Sequence, residues 1–286
     1  HAGIWMAWLL VMAIVLSPGS AYAVGGAGVS ENDIRAEEEN WPDGPEIVGQ
    51  SAFLLEANSG MVLYTKNENE TRYPASITKI MTALLTLENC SLDETVTYSY
   101  NATHTIDAGS SSIYTTEDEQ LTVEQSLYAL MLESANECAN GLAEHVAGSI
   151  DAFAEMMNQK AAELGMKNTH FVNCCGLDDD AHLTTARDVA VMSREILKNH
   201  PQIHEYCTIW MENIVHTTAR GDFEFGLSNT NKLIKQYEYA TGLKTGYTSV
   251  AGFCVSASAK KDNIELVAVI MGGADSKSRF QDAITL

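Results

Sequence analysis

The chain is poor in positive charge: 17 Lys and Arg stand against 38 Asp and Glu, a formal net charge of -21 over 286 residues. No Lys/Arg cluster is present that could neutralise a phosphate backbone, which argues against a nucleic-acid partner. Cysteine is sparse and scattered, at Cys90, Cys138, Cys174, Cys175, Cys207 and Cys254, with no CxxC pair. Neighbouring Cys174 and Cys175 cannot easily bridge each other, so mostly buried free thiols are expected rather than a disulfide framework. Metal-ligand spacing is also missing. His200 and His204 share helical i,i+4 spacing, but Pro201 between them and the lack of a third ligand speak against a metal, and no cofactor is expected. No internal repeat is visible. What remains, 45% hydrophobic and 19% charged residues, suits one large domain or two modest ones with a real core.

An uninterrupted apolar run, Ile4 to Leu16, is followed by Ser17-Pro18-Gly19 and the small-x-small box Ala21-Tyr22-Ala23. It reads as the core and cleavage site of a secretory signal peptide over residues 1–23, its basic start missing before His1. The run falls short of the roughly 20 residues of a comfortable membrane span. The mature chain is therefore expected to be extracytoplasmic. Residues 24–50 are Gly-rich, then acidic, and read as a linker.

The folded part is expected over 51–286. Ser51 to Glu56 and Met61 to Lys66, joined by Ala57-Asn58-Ser59-Gly60, carry a hairpin signal. Pro74 suits a first helical turn, and Ile77, Ile80, Met81, Leu84 and Leu87 recur at helical spacing. Helical patterns continue over Thr122 to Gly148, Asp151 to Leu164 (capped by Gly165) and Thr184 or Thr185 to Lys198. Three strands follow, around Thr241–Tyr247, Gly252–Ala259 and Ile264–Met271, the last pair joined by a tight polar turn. A final helix starts near Ser276. Strands at both ends with helices between imply one antiparallel sheet closed by the two ends of the domain, with a helical region inserted.

Inside the apolar run Ile77–Leu87, Lys79 is the sole charged residue, and Ser76 lies three positions before it, on the same helical face. That spacing sets a hydroxyl beside an amine that burial can push toward its neutral, basic form. Such a pair also occurs by chance, as in Ser258-Ala259-Lys260-Lys261. Two further short motifs follow in order: Ser134-Ala135-Asn136 at a helical junction, and Lys244-Thr245-Gly246 on a strand. SxxK, SxN and KTG are together the signature of penicillin-binding proteins and class A β-lactamases. The decoy at Ser258 falls at a strand end, after KTG, and a second SxN occurs as Ser99-Tyr100-Asn101.

With the flanking segments Ala57–Tyr64, Pro74–Ala83, His182–Asp188 and Lys244–Thr248, the chain resembles the serine-type D-Ala-D-Ala carboxypeptidases, the low-mass penicillin-binding proteins of peptidase family S11. The resemblance covers about Ser51 to the end. It implies an α/β (α+β) β-lactamase/transpeptidase-like fold: a five-stranded antiparallel sheet flanked by helices, plus an inserted helical subdomain, with the site at their junction. It further implies Ser76 as nucleophile, Lys79 as general base and Ser134 as proton relay. Backbone N–H groups of Ser76 and Tyr247 would form the oxyanion hole. Asn136, Lys244, Thr245, Gly246 and Arg279 would bind a peptidoglycan stem peptide ending in D-Ala-D-Ala, with β-lactams as covalent inhibitors. Ala135, where relatives often have glycine, and Cys138 just after the motif are departures that remove no functional group. A structural role is expected for His182 and for Arg187-Asp188. Three alternatives use the same fold: a β-lactamase, for which only Glu163 and Glu195 offer a deacylating carboxylate, a D,D-endopeptidase, and a non-catalytic β-lactam-sensing or wall-binding module. Sequence beyond Leu286 is expected, with a possible membrane anchor.

Overall fold

The computed structural model describes residues 35–36, 44–107 and 109–286. The signal peptide expected at 1–23 lies outside the described residues, and among them no helix is long and apolar enough to cross a membrane. The chain runs through β1 (Arg35–Ala36), β2 (Ser51–Glu56) and β3 (Met61–Lys66) into a tight 3-10 turn, Ala75–Thr78, that opens α1 (Lys79–Asn89). It continues through β4 (Thr95–Thr97), α2 (Tyr100–His104), β5 (Gln120–Thr122), α3 (Val123–Leu132), α4 (Asn136–Ala147), α5 (Ile150–Glu163), α6 (Ala186–Asn199) and α7 (Ile203–Cys207). A hairpin, β6 (Met211–Thr218) and β7 (Gly221–Ser228), and the short α8 (Leu233–Gln236) lead to β8 (Ala240–Thr248), β9 (Gly252–Lys261), β10 (Ile264–Gly273) and α9 (Ser276–Thr285).

The main sheet has the order β1-β3-β2-β10-β9-β8, so β2, near the start of the domain, and β10, its last strand, are hydrogen-bonded neighbours at its centre. Alternation along the strands explains its two faces. Phe53, Leu55, Val267 and Val269 point into the large core shared with the helices, while Leu54, Ala268 and Ile270 point to a smaller core closed by Phe280 of α9. Buried on both faces, β10 reads as an almost continuous apolar run.

Two expectations are corrected. The five antiparallel strands are present, but the two-residue β1 adds a sixth strand, parallel to β3. A backbone pairing of that length leaves no hydrophobic period to detect. The middle region is also not helical throughout: it carries a second, four-stranded sheet in the order β4-β5-β6-β7. β4 and β5 are three residues long, and β7 is mostly exposed, so neither alternation nor length marks them. The end of the stretch read as a linker is docked on the domain. Gly49 N–H donates to Asp282 Oδ2 at 2.7 Å, Gln50 N–H to Met271 O at 3.0 Å, and Ile47 is buried.

The helical run read over Thr122–Gly148 is broken at Glu133–Ala135. α3 begins with a capping box, in which Thr122 Oγ1 accepts from Gln125 N and the Gln125 side chain accepts from Thr122 N. It ends just before Ser134, whose φ of 63° no helix accommodates. All six cysteines are free, and five are buried.

Candidate active site

Where the main sheet meets the helical region, a cleft of about 360 Å³ opens. Ser76, Ser134, Asn136, Thr245, Gly246, Tyr247 and Arg279 all line it. Lys79 and Lys244 sit behind its wall, at 0% and 1% exposure. Three stretches widely separated in sequence thus converge, and each is placed by a local feature.

Ser76 rides on the 3-10 turn, where positions i and i+3 nearly eclipse, which brings it over Lys79. Lys79 Nζ lies 3.0 Å from Ser76 Oγ, 2.7 Å from Asn136 Oδ1 and 2.7 Å from the carbonyl oxygen of Cys175. Burial pushes the amine below its ordinary value, against the opposing influence of the Cys175 and Cys174 thiols and the Glu137 carboxylate. Once neutral, the amine keeps two N–H donors for Asn136 Oδ1 and Cys175 O, and its lone pair faces the Ser76 hydroxyl. This arrangement can accept the serine proton.

The break between α3 and α4 puts Ser134 and Asn136 on the opposite wall. Ser134 Oγ is buried and, among the described residues, has no hydrogen-bond partner. Asn136 N donates to Ser111 O at 2.9 Å, and Glu137 Oε1 accepts from Ser112 Oγ and Ile113 N, both at 2.7 Å. Those bonds hold the loop 109–113 beside the cleft.

The third wall is β8. At Gly246 the strand lies so close to the 3-10 turn that a Cβ would stand 2.8 Å from Ser76 N and 3.0 Å from Pro74 O. Lys244 Nζ donates to Thr245 O at 3.1 Å, and Thr245 Oγ1 lies 3.1 Å from Thr230 Oγ1. Lys244 is pushed well down by burial, then by the positive charges of Lys79 and Arg279. Arg279 braces the strand pair: its Nη1 donates to Gly246 O at 2.9 Å and Cys254 O at 3.0 Å. Burial lowers its guanidinium to about 10.

Comparison with known proteins bears on this cleft. A family model described as D-alanyl-D-alanine carboxypeptidase, peptidase S11, matches residues 37–275. The chain belongs to this family. It is 40% identical over 235 residues to the D-alanyl-D-alanine carboxypeptidase DacF of Bacillus subtilis, covering 80% of this chain and 59% of that protein. To DacD of Escherichia coli it is 33% identical over 251 residues, covering 85% and 63%. It thus spans about three fifths of these curated relatives. The crystal structure of the Streptomyces K15 DD-transpeptidase superposes with a TM-score of 0.81 at 27% identity, covering 85% of this chain and 97% of that one.

Within this S11 chain, the two decoy motifs have structural uses. Ser99 caps α2 by accepting from Ala102 N at 2.9 Å, and its hydroxyl donates to Glu144. Ser258 pairs with Thr241 on the sheet. His182 holds the 3-10 turn from below: its Nε2 lies 2.9 Å from Thr78 Oγ1, and its Nδ1 accepts from Val172 N. His204 faces Glu265 at 3.0 Å and His200 faces Glu88 at 3.8 Å, so the two histidines serve different partners. Sequence reading missed Cys175, Gly176, Thr230 and the loop 109–113. Cys175 acts through its backbone carbonyl, which no residue type announces. Gly176 offered the sequence only its residue type; the structure gives it φ +90° and shows that a Cβ there would stand 1.9 Å from Ala75 O.

Proposed function

We propose that the chain is a serine-type D-Ala-D-Ala carboxypeptidase that removes the terminal D-alanine of peptidoglycan stem peptides and is acylated by β-lactams. The observation that carries this reading is the Lys79 amine, fully buried and directed at Ser76 Oγ. Membership of the S11 family and the names of the relatives support the substrate class.

In this mechanism Ser76 Oγ attacks the carbonyl carbon between the last two D-alanines while its proton passes to Lys79 Nζ. The oxyanion is received by the N–H groups of Ser76 and Tyr247, each worth on the order of 3 kcal/mol. The close approach of Gly246 to the 3-10 turn supports that pairing. The C–N bond then breaks, the leaving amine takes a proton from Lys79 by way of Ser134 Oγ, and D-alanine departs. Water adds to the ester, the C–Oγ bond breaks and Ser76 regains its proton. Asn136 holds the substrate backbone, since its Oδ1 is engaged by Lys79 and its amide donors remain for the cleft. Lys244, Thr245 and Arg279 form the end that receives the terminal carboxylate, whose negative charge would favour the protonated form of the buried Lys244 amine.

Among the described residues no carboxylate lines the cleft. Glu163 stands at the end of α5 beside Lys160, and Glu195 bonds Asn199. This favours slow ester hydrolysis over a β-lactamase. The reading places the chain in the cell envelope, exported by the segment 1–23. Incubation with a labelled penicillin followed by peptide mass mapping tests it. A long-lived adduct on Ser76, lost in Ser76→Ala together with D-alanine release from a diacyl-D-Ala-D-Ala peptide, is expected. Labelling elsewhere, or loss of the adduct within seconds, would overturn it.

A further inference from the structure

We propose that Cys90, Glu94 and His145 form a binding site for one borderline divalent transition-metal ion, Zn²⁺ being the best match, remote from the catalytic cleft. One thiol sulfur, one carboxylate oxygen and one imidazole nitrogen all lie within 4.8 Å of one another. The three residues come from the C-cap of α1, the loop after it and the last turn of α4.

The donor set selects the metal. Sulfur, nitrogen and oxygen together suit Zn²⁺, while Mg²⁺ and Ca²⁺ take oxygen donors. Three protein ligands leave a fourth, tetrahedral position for water. Bonds of about 2.0 Å to nitrogen and oxygen and about 2.3 Å to sulfur require ligand atoms roughly 3.3–3.7 Å apart. His145 Nε2 and Glu94 Oε2 are now 2.9 Å apart. Closure therefore asks the carboxylate and imidazole to part by a few tenths of an ångström and the thiol to swing in by about 1 Å at most.

An exposed His–Glu contact is by itself an ordinary ion pair of small value. A half-buried thiol at the same spot is not needed for that pair. Glu94 is also oriented from behind, because its Oε1 accepts from Ser91 N at 2.6 Å, the kind of support that fixes a ligating carboxylate. On binding, the Cys90 S–H bond breaks, the thiolate sulfur bonds the metal, and the proton leaves to solvent. Because binding releases that proton, affinity rises with pH.

The location gives the site a structural consequence. α1 begins at Lys79 and α4 at Asn136, the two residues joined by the Nζ–Oδ1 bond of the cleft. An ion bridging the far ends of both helices, roughly 15 Å away, would clamp the pair that carries this contact.

The test uses the whole chain, stripped with a chelator and titrated with Co²⁺. A thiolate-to-cobalt charge-transfer band should grow to one equivalent and vanish when Zn²⁺ is added. Cys90→Ser should abolish the band, and His145→Ala should weaken Co²⁺ binding at least tenfold, both with unchanged circular dichroism. Zn²⁺ should also slow maleimide labelling of Cys90 at least tenfold in the unsubstituted chain. No band at millimolar Co²⁺, a band that survives Cys90→Ser, or labelling indifferent to Zn²⁺ would each overturn the proposal. None of these readouts depends on the catalytic reading.

Discussion

A lysine amine and a histidine ring decide what this site can do and over what pH range it persists. On the proposed mechanism Lys79 acts as a base only without its proton, so acylation by penicillin should accelerate as pH climbs through its lowered pKa. Lys79→Arg keeps the charge but cannot shed it, and the acylation rate should fall by about 10²–10⁴-fold. His182 works by being neutral. Its Nδ1 accepts from Val172 N, and burial holds its pKa at about 4 against an ordinary 6.5. Between those values the unfolded chain binds a proton that the folded chain refuses, so stability is lost as pH falls from about 6.5 to about 4. The loss amounts to about 3 kcal/mol at most. Urea unfolding at pH 7 and pH 4.5 should show it, and His182→Asn should flatten the difference.

At the scale of elements, the site depends on two places where regular structure stops. The loop at Gly176 packs against the underside of the 3-10 turn, and only a residue without Cβ fits beneath Ala75 O. Gly176→Ala should lower stability by roughly 2–4 kcal/mol and slow acylation as well, because the displaced turn carries Ser76. The other break divides α3 from α4 at Ser134. The capping box of Thr122 starts α3 a full helix away from the cleft. Thr122→Ala should thus cost about 1 kcal/mol in thermal or urea unfolding and leave the acylation rate unchanged. These contrasting variants separate a helix that merely supports the site from a turn that presents it.

For the molecule as a whole, the sheet is closed by pairing β2 with β10, so the two ends of the domain fold as one unit. Residues 47–50 add to that closure through Asp282 and Met271. Truncation from the start to residue 50 should accordingly lower the unfolding midpoint, whereas a detached linker would leave it unchanged. Net charge acts at the same scale. With -21 charges on the chain, self-repulsion opposes the compact state, and raising salt from about 10 mM to about 150 mM should raise the melting temperature through screening.

The hairpin, the strands of the main sheet other than β1, and the helices α5, α6 and α9 were legible in the sequence, because apolar period and turn residues are local properties. Ser76, Lys79, Ser134, Asn136, Lys244, Thr245 and Gly246 could be picked out as candidates, since SxxK, SxN and KTG are each short and contiguous, whereas Tyr247 and Arg279 came only with the family resemblance. The second sheet was not, because strands of three residues and an exposed β7 leave no periodic trace. Nor was the partner that shares the lysine amine with Ser76 and Asn136, the backbone carbonyl of Cys175. A side chain's chemistry is written in the residue, but its protonation state is not. Sequence placed a lysine three residues after a serine; only packing removed water from that lysine and pushed its amine toward the neutral form.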